Sequence, residues 1–240
     1  MAELRHYTSL RVGGPAKKFV DAHNEKEIVA AIEAAGDSPI LIIGGGTNIL
    51  VADGGFDGTV IRITNKSLEA EIDACSGATL SIGAGENWDD FVKSSVTRGF
   101  AGLETLSGIP GTVGASPIQN IGAYGLELAQ VFDSLCAFDT LSNKFIKLSK
   151  EQCEFSYRNS IFKKEPGRYV VVSVCLILGL AMLFAINLYS ALLGFAAFVS
   201  YVFIYTPLKR VTPWAVFVGA FPGAIPPMLG AIAATNSFGL

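Results

Sequence analysis

The sequence predicts an α+β protein of two small subdomains, followed by an all-α membrane segment of two to three helices. Three observations predict this. All 21 acidic residues and 16 of the 18 Lys and Arg residues precede Ser173, whereas from Cys175 to Leu240 the only charges are Lys209 and Arg210. One part of the chain is therefore patterned for water and the other for an apolar surrounding. Within the polar part, short apolar runs alternate with stretches of helical periodicity, and two glycine-rich stretches interrupt them. The implied boundaries are 1–65 and 66–174 for the two subdomains and 175–240 for the membrane helices.

In chain order, FVDA (19–22) reads as a strand, and EKEIVAAIEAAG (25–36) has apolar residues at helical spacing, ending at Gly36. PILIIG (39–44) is a short apolar strand, and TVIRI (59–63), after the turn-rich ADGGFDG, alternates like a half-buried strand. The second unit opens with TLSIGAG (79–85) as a strand. An amphipathic helix follows from near Trp88 (WDDFVKSSVTRG), then a long glycine-rich loop, then strands at VFDSLCAFD (131–139) and KFIKL (144–148). RYVVVSV (168–174) is rich in β-branched residues and reads as a further strand.

The 31 residues from Cys175 to Tyr205 carry no charge. As one helix they would span roughly 46 Å at ~1.5 Å per residue, longer than the hydrocarbon core of about 30 Å. Two passes with a turn near Asn187–Ser190 fit better. Trp214 to Ala234 is a third candidate, interrupted by Pro222, Pro226 and Pro227. Lys209 and Arg210 lie between the second and third passes, which places that loop in the cytoplasm.

Charge excludes a nucleic-acid binder, because the polar part is net acidic with both signs interspersed. Cys75, Cys136, Cys153 and Cys175 are widely spaced, so neither a zinc site nor a disulfide framework is predicted, and buried reduced thiols are. His6 and His23 have no partners at ligand spacing, and no metal site is predicted. MAELRHYTSL has no apolar export core, so the polar part is expected in the cytoplasm.

Two motifs point to chemistry. IGGGTNILV (43–51) sets three glycines directly after an apolar strand, where backbone N–H groups can approach a diphosphate with no Cβ in the way. It is neither a G-x-G-x-x-G fingerprint nor a Walker loop, and a tight turn without a ligand accounts for it equally well. LSGIPGTVGASPIQNIGAYGLEL (106–128) holds five glycines and two prolines with a single charge. Such a stretch suits backbone wrapped around a flat or phosphorylated ligand, with Ser107, Ser116, Gln119 and Asn120 as hydrogen-bonding partners. A buried structural loop is the alternative.

VGGPAKKFVDAHN, IGGGTNILVADGGFDGTVI, GIPGTVGASPIQNIGAYG and FSYRNSIFK occur in the order and at the spacing of the UDP-N-acetylenolpyruvoylglucosamine reductases of cell-wall synthesis. Residues 4–174 resemble that family. The resemblance implies a two-subdomain FAD-binding fold of the vanillyl-alcohol-oxidase type, with FAD as cofactor, NADPH as co-substrate and a UDP-sugar as substrate. It implies cofactor contacts from Gly44, Gly45, Gly46, Thr47 and Asn48, and from Ser107, Gly108, Ile109, Pro110, Gly111, Gly114, Ser116, Gln119, Asn120, Gly122, Ala123, Tyr124 and Gly125. In that family NADPH reduces FAD, and hydride then passes to the enolpyruvyl double bond of the substrate, giving UDP-N-acetylmuramate for peptidoglycan. By the matching motif YRNSIFK, Arg158 is the arginine that stabilises the developing enolate, and it binds substrate together with Tyr157. From the residues alone, an Arg following FSY is more often a surface ion pair.

The chain departs from this family after residue 174. The family's serine proton donor lies in a Gly-Ser-Phe-Phe-Lys-Asn-Pro-like motif, of which Asn236-Ser237-Phe238 is only a short echo, and no Glu follows Glu165. The expectation is a chain that binds FAD and turns over slowly or not at all. In place of the missing motif, the stretch containing YTPLKRVTPWAVFVGAFPGAIPPMLG resembles the middle helices of protoheme IX farnesyltransferase, an intramembrane prenyltransferase. Those enzymes hold magnesium and a prenyl diphosphate through Asp-rich motifs, and this segment has no acidic residue. A chimera joined within 172–179 is expected. The alternatives are a fragment of a haem O synthase-like membrane prenyltransferase and a membrane-tethered flavin binder without catalysis.

Overall fold

The structure, a computed structural model, describes residues 1–73 and 77–180. The membrane helices expected beyond 180, and Cys75, lie outside the described residues. Among the described residues no helix is long and apolar enough to cross a membrane.

Two sheets build residues 1–180, and the chain passes from one to the other between Ile63 and Leu68. The first contains β1 (Ala2–Glu3), β2 (Pro15–Ala22), β3 (Ile40–Ile43) and β4 (Phe56–Ile63), in the order β1-β2-β4-β3. β4 lies between β2 and β3 and is parallel to both. Its central position explains its composition, with Gly58, Thr59, Val60 and Ile61 all buried. Helix α1 (Glu25–Glu33) makes the crossover after β2. Asn24 caps it by accepting from the Glu27 N–H at 3.0 Å, while the Glu27 carboxylate reaches back to the His23 N–H at 2.8 Å. Regular helix ends at Glu33, three residues before the expected Gly36. Gly36 instead sits in the left-handed turn that follows, at φ 55°, and donates to the Glu33 carbonyl.

The second sheet is antiparallel: β5 (Leu68–Asp73), β6 (Gly77–Gly83), β10 (Phe132–Asp139), β11 (Lys144–Ser149) and β12 (Tyr169–Leu180) run β11-β10-β12-β6-β5. Helix α2 (Trp88–Thr97) leads into the short strand β7 (Phe100–Ala101), which pairs with the end of β12. A two-strand hairpin, β8 (Gly122–Ala123) and β9 (Leu126–Glu127), projects from the long loop, and α3 (Ile161–Lys164) is one short turn before β12. One continuous core joins Ile61 and Ile63 of the first sheet to Leu80, Ile82, Val172, Val174 and Leu176 of the second, with Trp88, Phe91 and Val92 of α2 packed into it.

β12 corrects the expected start of the membrane part at Cys175. The strand continues to Leu180, with Cys175–Leu178 paired to β6 and Gly179–Leu180 paired to β7. Val174, Leu176 and Leu178 are buried, while Ile177 between them is 47% exposed. The alternation of a half-buried strand is present. It is invisible in the sequence because the outward positions carry Cys175 and Ile177 instead of polar residues. Of the cysteines, Cys153 is fully buried, and burial pushes its thiol up to about 12, so it stays protonated.

Candidate functional site

β3 delivers the chain into Gly44-Gly45-Gly46, and each glycine is fitted to a neighbour. A Cβ on Gly44 would collide with the Thr112 hydroxyl, one on Gly45 would lie 3.2 Å from the Gly111 Cα, and one on Gly46 would collide with the Tyr7 carbonyl oxygen. Gly46 also holds φ at 63°, in the left-handed region. Behind it, the Ser9 N–H donates to the Gly46 carbonyl at 3.0 Å. Among the described residues, the backbone N–H groups of Gly45, Gly46, Thr47 and Asn48 find no protein acceptor, although Gly46 is buried. A run of N–H groups left open at the end of a strand is an anion-binding concavity.

The long loop is laid against α2. The Trp88 indole N–H donates to the Leu106 carbonyl at 2.9 Å, and the Trp88 backbone N–H donates to Gly111. The Asp89 carboxylate accepts from the Ser107 hydroxyl at 2.9 Å and the Gly108 N–H at 2.7 Å, and pairs with Lys93 at 2.7 Å. The Lys93 ammonium, then the Gly108 and Ser107 donors, hold its carboxyl at about 2. Ionised Asp89 therefore contributes stability that is complete above the ordinary Asp range, about 4, and is lost as pH falls through about 2. Asp89→Asn should melt below the parent at neutral pH, with the gap closing as pH falls from 4 towards 2. A gap that stays constant across this range in melting curves would show that the carboxylate does not anchor the loop.

Between the two glycine-rich segments lies a cleft of about 380 Å³. Gly44–Asn48 form one wall, and Pro110, Thr112, Ser116 and Gln119 the other, with Trp88 and Lys163 also lining it. The walls are tied by Asn48 donating to the Gln119 amide oxygen at 3.3 Å. An adjoining cavity of about 500 Å³ shares Ile42, Ile43, Gly44 and Thr112 and extends to Phe162, Tyr169 and Val171. The site thus has a polar backbone rim and a deep apolar continuation.

The residues singled out in the sequence divide into three groups. Gly44, Gly45, Gly46, Thr47, Asn48, Pro110, Ser116 and Gln119 line the cleft. Ser107 and Gly108 are held by Asp89, Ile109 packs against the core, Gly111 accepts from Trp88, Gly114 packs on Ala84, and Asn120 is buried among protein partners. Gly122, Ala123, Tyr124 and Gly125 line a separate recess of about 320 Å³, together with Tyr157 and Arg158. In it the Arg158 guanidinium donates to the Gly122 carbonyl at 2.8 Å. The sequence did not single out Trp88, Asp89, Thr112 or Lys163. Asp89 resembled any acidic residue in a first helical turn, and Lys163 had a motif but no assigned task.

Residues 16–144, more than half of the chain, match the model of an FAD binding domain, and the chain belongs to that family. FAD is the cofactor of the fold described above. Within this class, the chain is 44% identical over 173 residues to UDP-N-acetylenolpyruvoylglucosamine reductase of Cutibacterium acnes, covering 71% of this chain and 46% of that protein. It is 45% identical over 175 residues to the enzyme of the same name from Streptomyces coelicolor, covering 72% and 44%. The chain thus spans about half the length of the curated relatives it matches. Among solved structures, the UDP-N-acetylenolpyruvylglucosamine reductase of Thermus caldophilus is 30% identical with a TM-score of 0.60, covering 75% of this chain and 61% of that one. A cholesterol oxidase variant from Brevibacterium sterolicum, 16% identical with a TM-score of 0.51, shares the fold over 67% of this chain and 34% of its own. Residues 167–240 match the UbiA prenyltransferase family. The first part of that match, 167–180, contains β12 and so belongs to the sheet.

The residues present fit FAD. The open N–H groups of Gly45–Asn48, one of them on a buried glycine, are matched to a diphosphate, and the apolar continuation past Ile42 and Ile43 is matched to a flat ring system.

Proposed function

We propose that residues 1–180 hold FAD between the two glycine-rich segments and present Arg158 to an enolpyruvyl UDP-sugar, so that the chain acts in the NADPH-dependent reduction leading to UDP-N-acetylmuramate. The observation that carries this is the run of N–H groups at Gly45–Asn48 without protein acceptors among the described residues, in a cleft whose other wall is the loop that accepts from Arg158 at Gly122. Bound FAD would supply the hydride chemistry. The chain's own part is to bind, orient and stabilise charge. Arg158 is exposed and uses one donor on Gly122, leaving the others for a carboxylate or a developing enolate oxygen. Tyr157, 81% exposed beside it in the same recess, would line the path of the substrate.

The similarity of 167–240 to the UbiA family supports a second part to this reading: residues after Leu180 tether the flavin domain to a membrane, with that domain on the cytoplasmic side. That segment contains no acidic residue to hold magnesium, so prenyl transfer is not proposed for it.

The test is an absorbance spectrum of the chain purified in mild detergent, followed by titration with the enolpyruvyl UDP-sugar. FAD bands near stoichiometric, perturbed by the sugar, are expected. Arg158→Ala should keep the bands and lower the rate of any NADPH-driven reduction by about 10²–10³-fold, the usual loss for one charge-stabilising donor. An absence of flavin even after added FAD would refute the cofactor placement, and an unchanged rate in Arg158→Ala would remove that residue from the chemistry.

A further inference from the structure

Asn120 is 1% exposed and holds φ at 45°, yet it does not line the cleft. Its side chain is fully engaged by protein. The amide nitrogen donates to the Ser156 carbonyl at 3.2 Å and to the Glu127 carboxylate at 2.8 Å, and the amide oxygen accepts from the Ala129 N–H at 3.0 Å. Two further bonds run parallel to it. The buried Ser160 hydroxyl donates to the Ile118 carbonyl at 2.6 Å, and Arg158 donates to Gly122.

Alternate residues of the flavin loop, 118, 120 and 122, are thus stapled to a turn that begins at Ser156 and ends at Ser160. Ser156 and Asn159 close this turn by exchanging both backbone hydrogen bonds at 3.1 Å, leaving Tyr157 and Arg158 at its tip. Arg158 sits there at φ 53°, a conformation that a residue with a Cβ keeps only when its surroundings hold it. Lys163, which lines the FAD cleft, donates to the Arg158 carbonyl at 3.0 Å from the other side.

From this arrangement we propose that Asn120 is a positioning residue for Arg158: a buried clamp that fixes the Ser156–Asn159 turn to the flavin loop, so that ordering of the cofactor loop sets the place of the substrate arginine. It acts through the turn and not on FAD. The role assigned to Arg158 rests on the proposed function above; the clamp itself does not.

Two variants separate the possibilities. Asn120→Gly removes the side chain without opposing the positive φ, and Asn120→Asp keeps the acceptor while removing both donors. Each is made in the full chain, in detergent, reconstituted with FAD. Three quantities are read: bound FAD, trypsin cleavage after Arg158 relative to cleavage after the exposed Arg98, and affinity for the enolpyruvyl UDP-sugar. Full FAD content is expected with a cleavage ratio raised roughly tenfold, the scale of one lost buried hydrogen bond. Loss of FAD in either variant overturns the proposal. So does an unchanged ratio, which is also what general unfolding would give, since both sites would then be cut faster together. If the ratio rises and sugar affinity falls in the parent background but not in Arg158→Ala, the clamp and the substrate reading both stand. A raised ratio with unchanged sugar affinity would leave the clamp in place and refute the substrate role of Arg158.

Discussion

Gly46→Ala should abolish flavin retention and destabilise the domain by about 2–5 kcal/mol, combining ~1–2 for a left-handed residue with a Cβ and ~1–3 for overpacking. The collision cannot be relieved cheaply. The new Cβ meets the Tyr7 carbonyl oxygen, and Tyr7 is fixed by its ring stacked on Phe19 at 4.3 Å and by the Arg62 guanidinium 5.0 Å from its centroid. Whichever segment yields, the backbone carrying the open N–H groups of Gly45–Asn48 is displaced. Gly36→Ala is the matched control, because Gly36 has the same sign of φ at 55° with nothing within 4 Å of the added Cβ. It should cost only ~1–2 kcal/mol and leave flavin binding intact. Equal losses in the two variants, measured by denaturant melts and flavin content, would show that backbone strain alone matters and that the contact with Tyr7 does not.

Trp88→Ala is expected to have the largest effect on stability, about 3–5 kcal/mol. Trp88 is 1% exposed at the start of α2, packs edge-to-face on Phe91 with centroids 5.9 Å apart, and lines the cleft. Its removal opens a void in the shared core and leaves the Leu106 carbonyl without its donor. Trp88→Phe weights the second effect: much of the volume remains while the indole N–H is lost, for about 0.5–1.5 kcal/mol, with a smaller packing loss added for the missing ring atoms. The loop from Leu106 to Gly111 should then loosen first, seen as faster amide exchange there than in β6. Exchange that stays uniform in Trp88→Phe would mean that the indole hydrogen bond does not hold the loop.

The order of the main elements was legible because β2, α1, β3 and β4 carry clean periodicities. β5 was not read, although LEAEID alternates apolar and acidic residues, because Glu, Ala and Asp are poor strand formers. Nor were β1 and β7, each two residues long and defined only by its partner. The end of the last strand was read six residues short, because the outward-facing positions at the end of β12 are apolar. At the site, Gly44, Gly46 and Gly114 were legible as points of close approach, where Thr112, Tyr7 and Ala84 leave no room for a Cβ. What Ser107, Gly108 and Asn120 do was not. A polar residue in a ligand-rich loop has the same letter whether it faces the ligand or, as Asn120 does, faces Glu127, Ala129 and Ser156.

β12 lies between β10 and β6 and is the last element of the flavin domain in the chain. Synthesis proceeds from the N-terminus, so β6 and β10 leave the ribosome with unpaired edges facing each other, and the strand that joins them emerges only when residues 169–180 do. At about 5–20 residues per second this interval lasts several seconds. Throughout it two hydrophobic edges are open to pairing with another chain. The sparsely charged stretch 181–240 follows at once, so the sheet must close while a second, apolar piece of chain is already emerging.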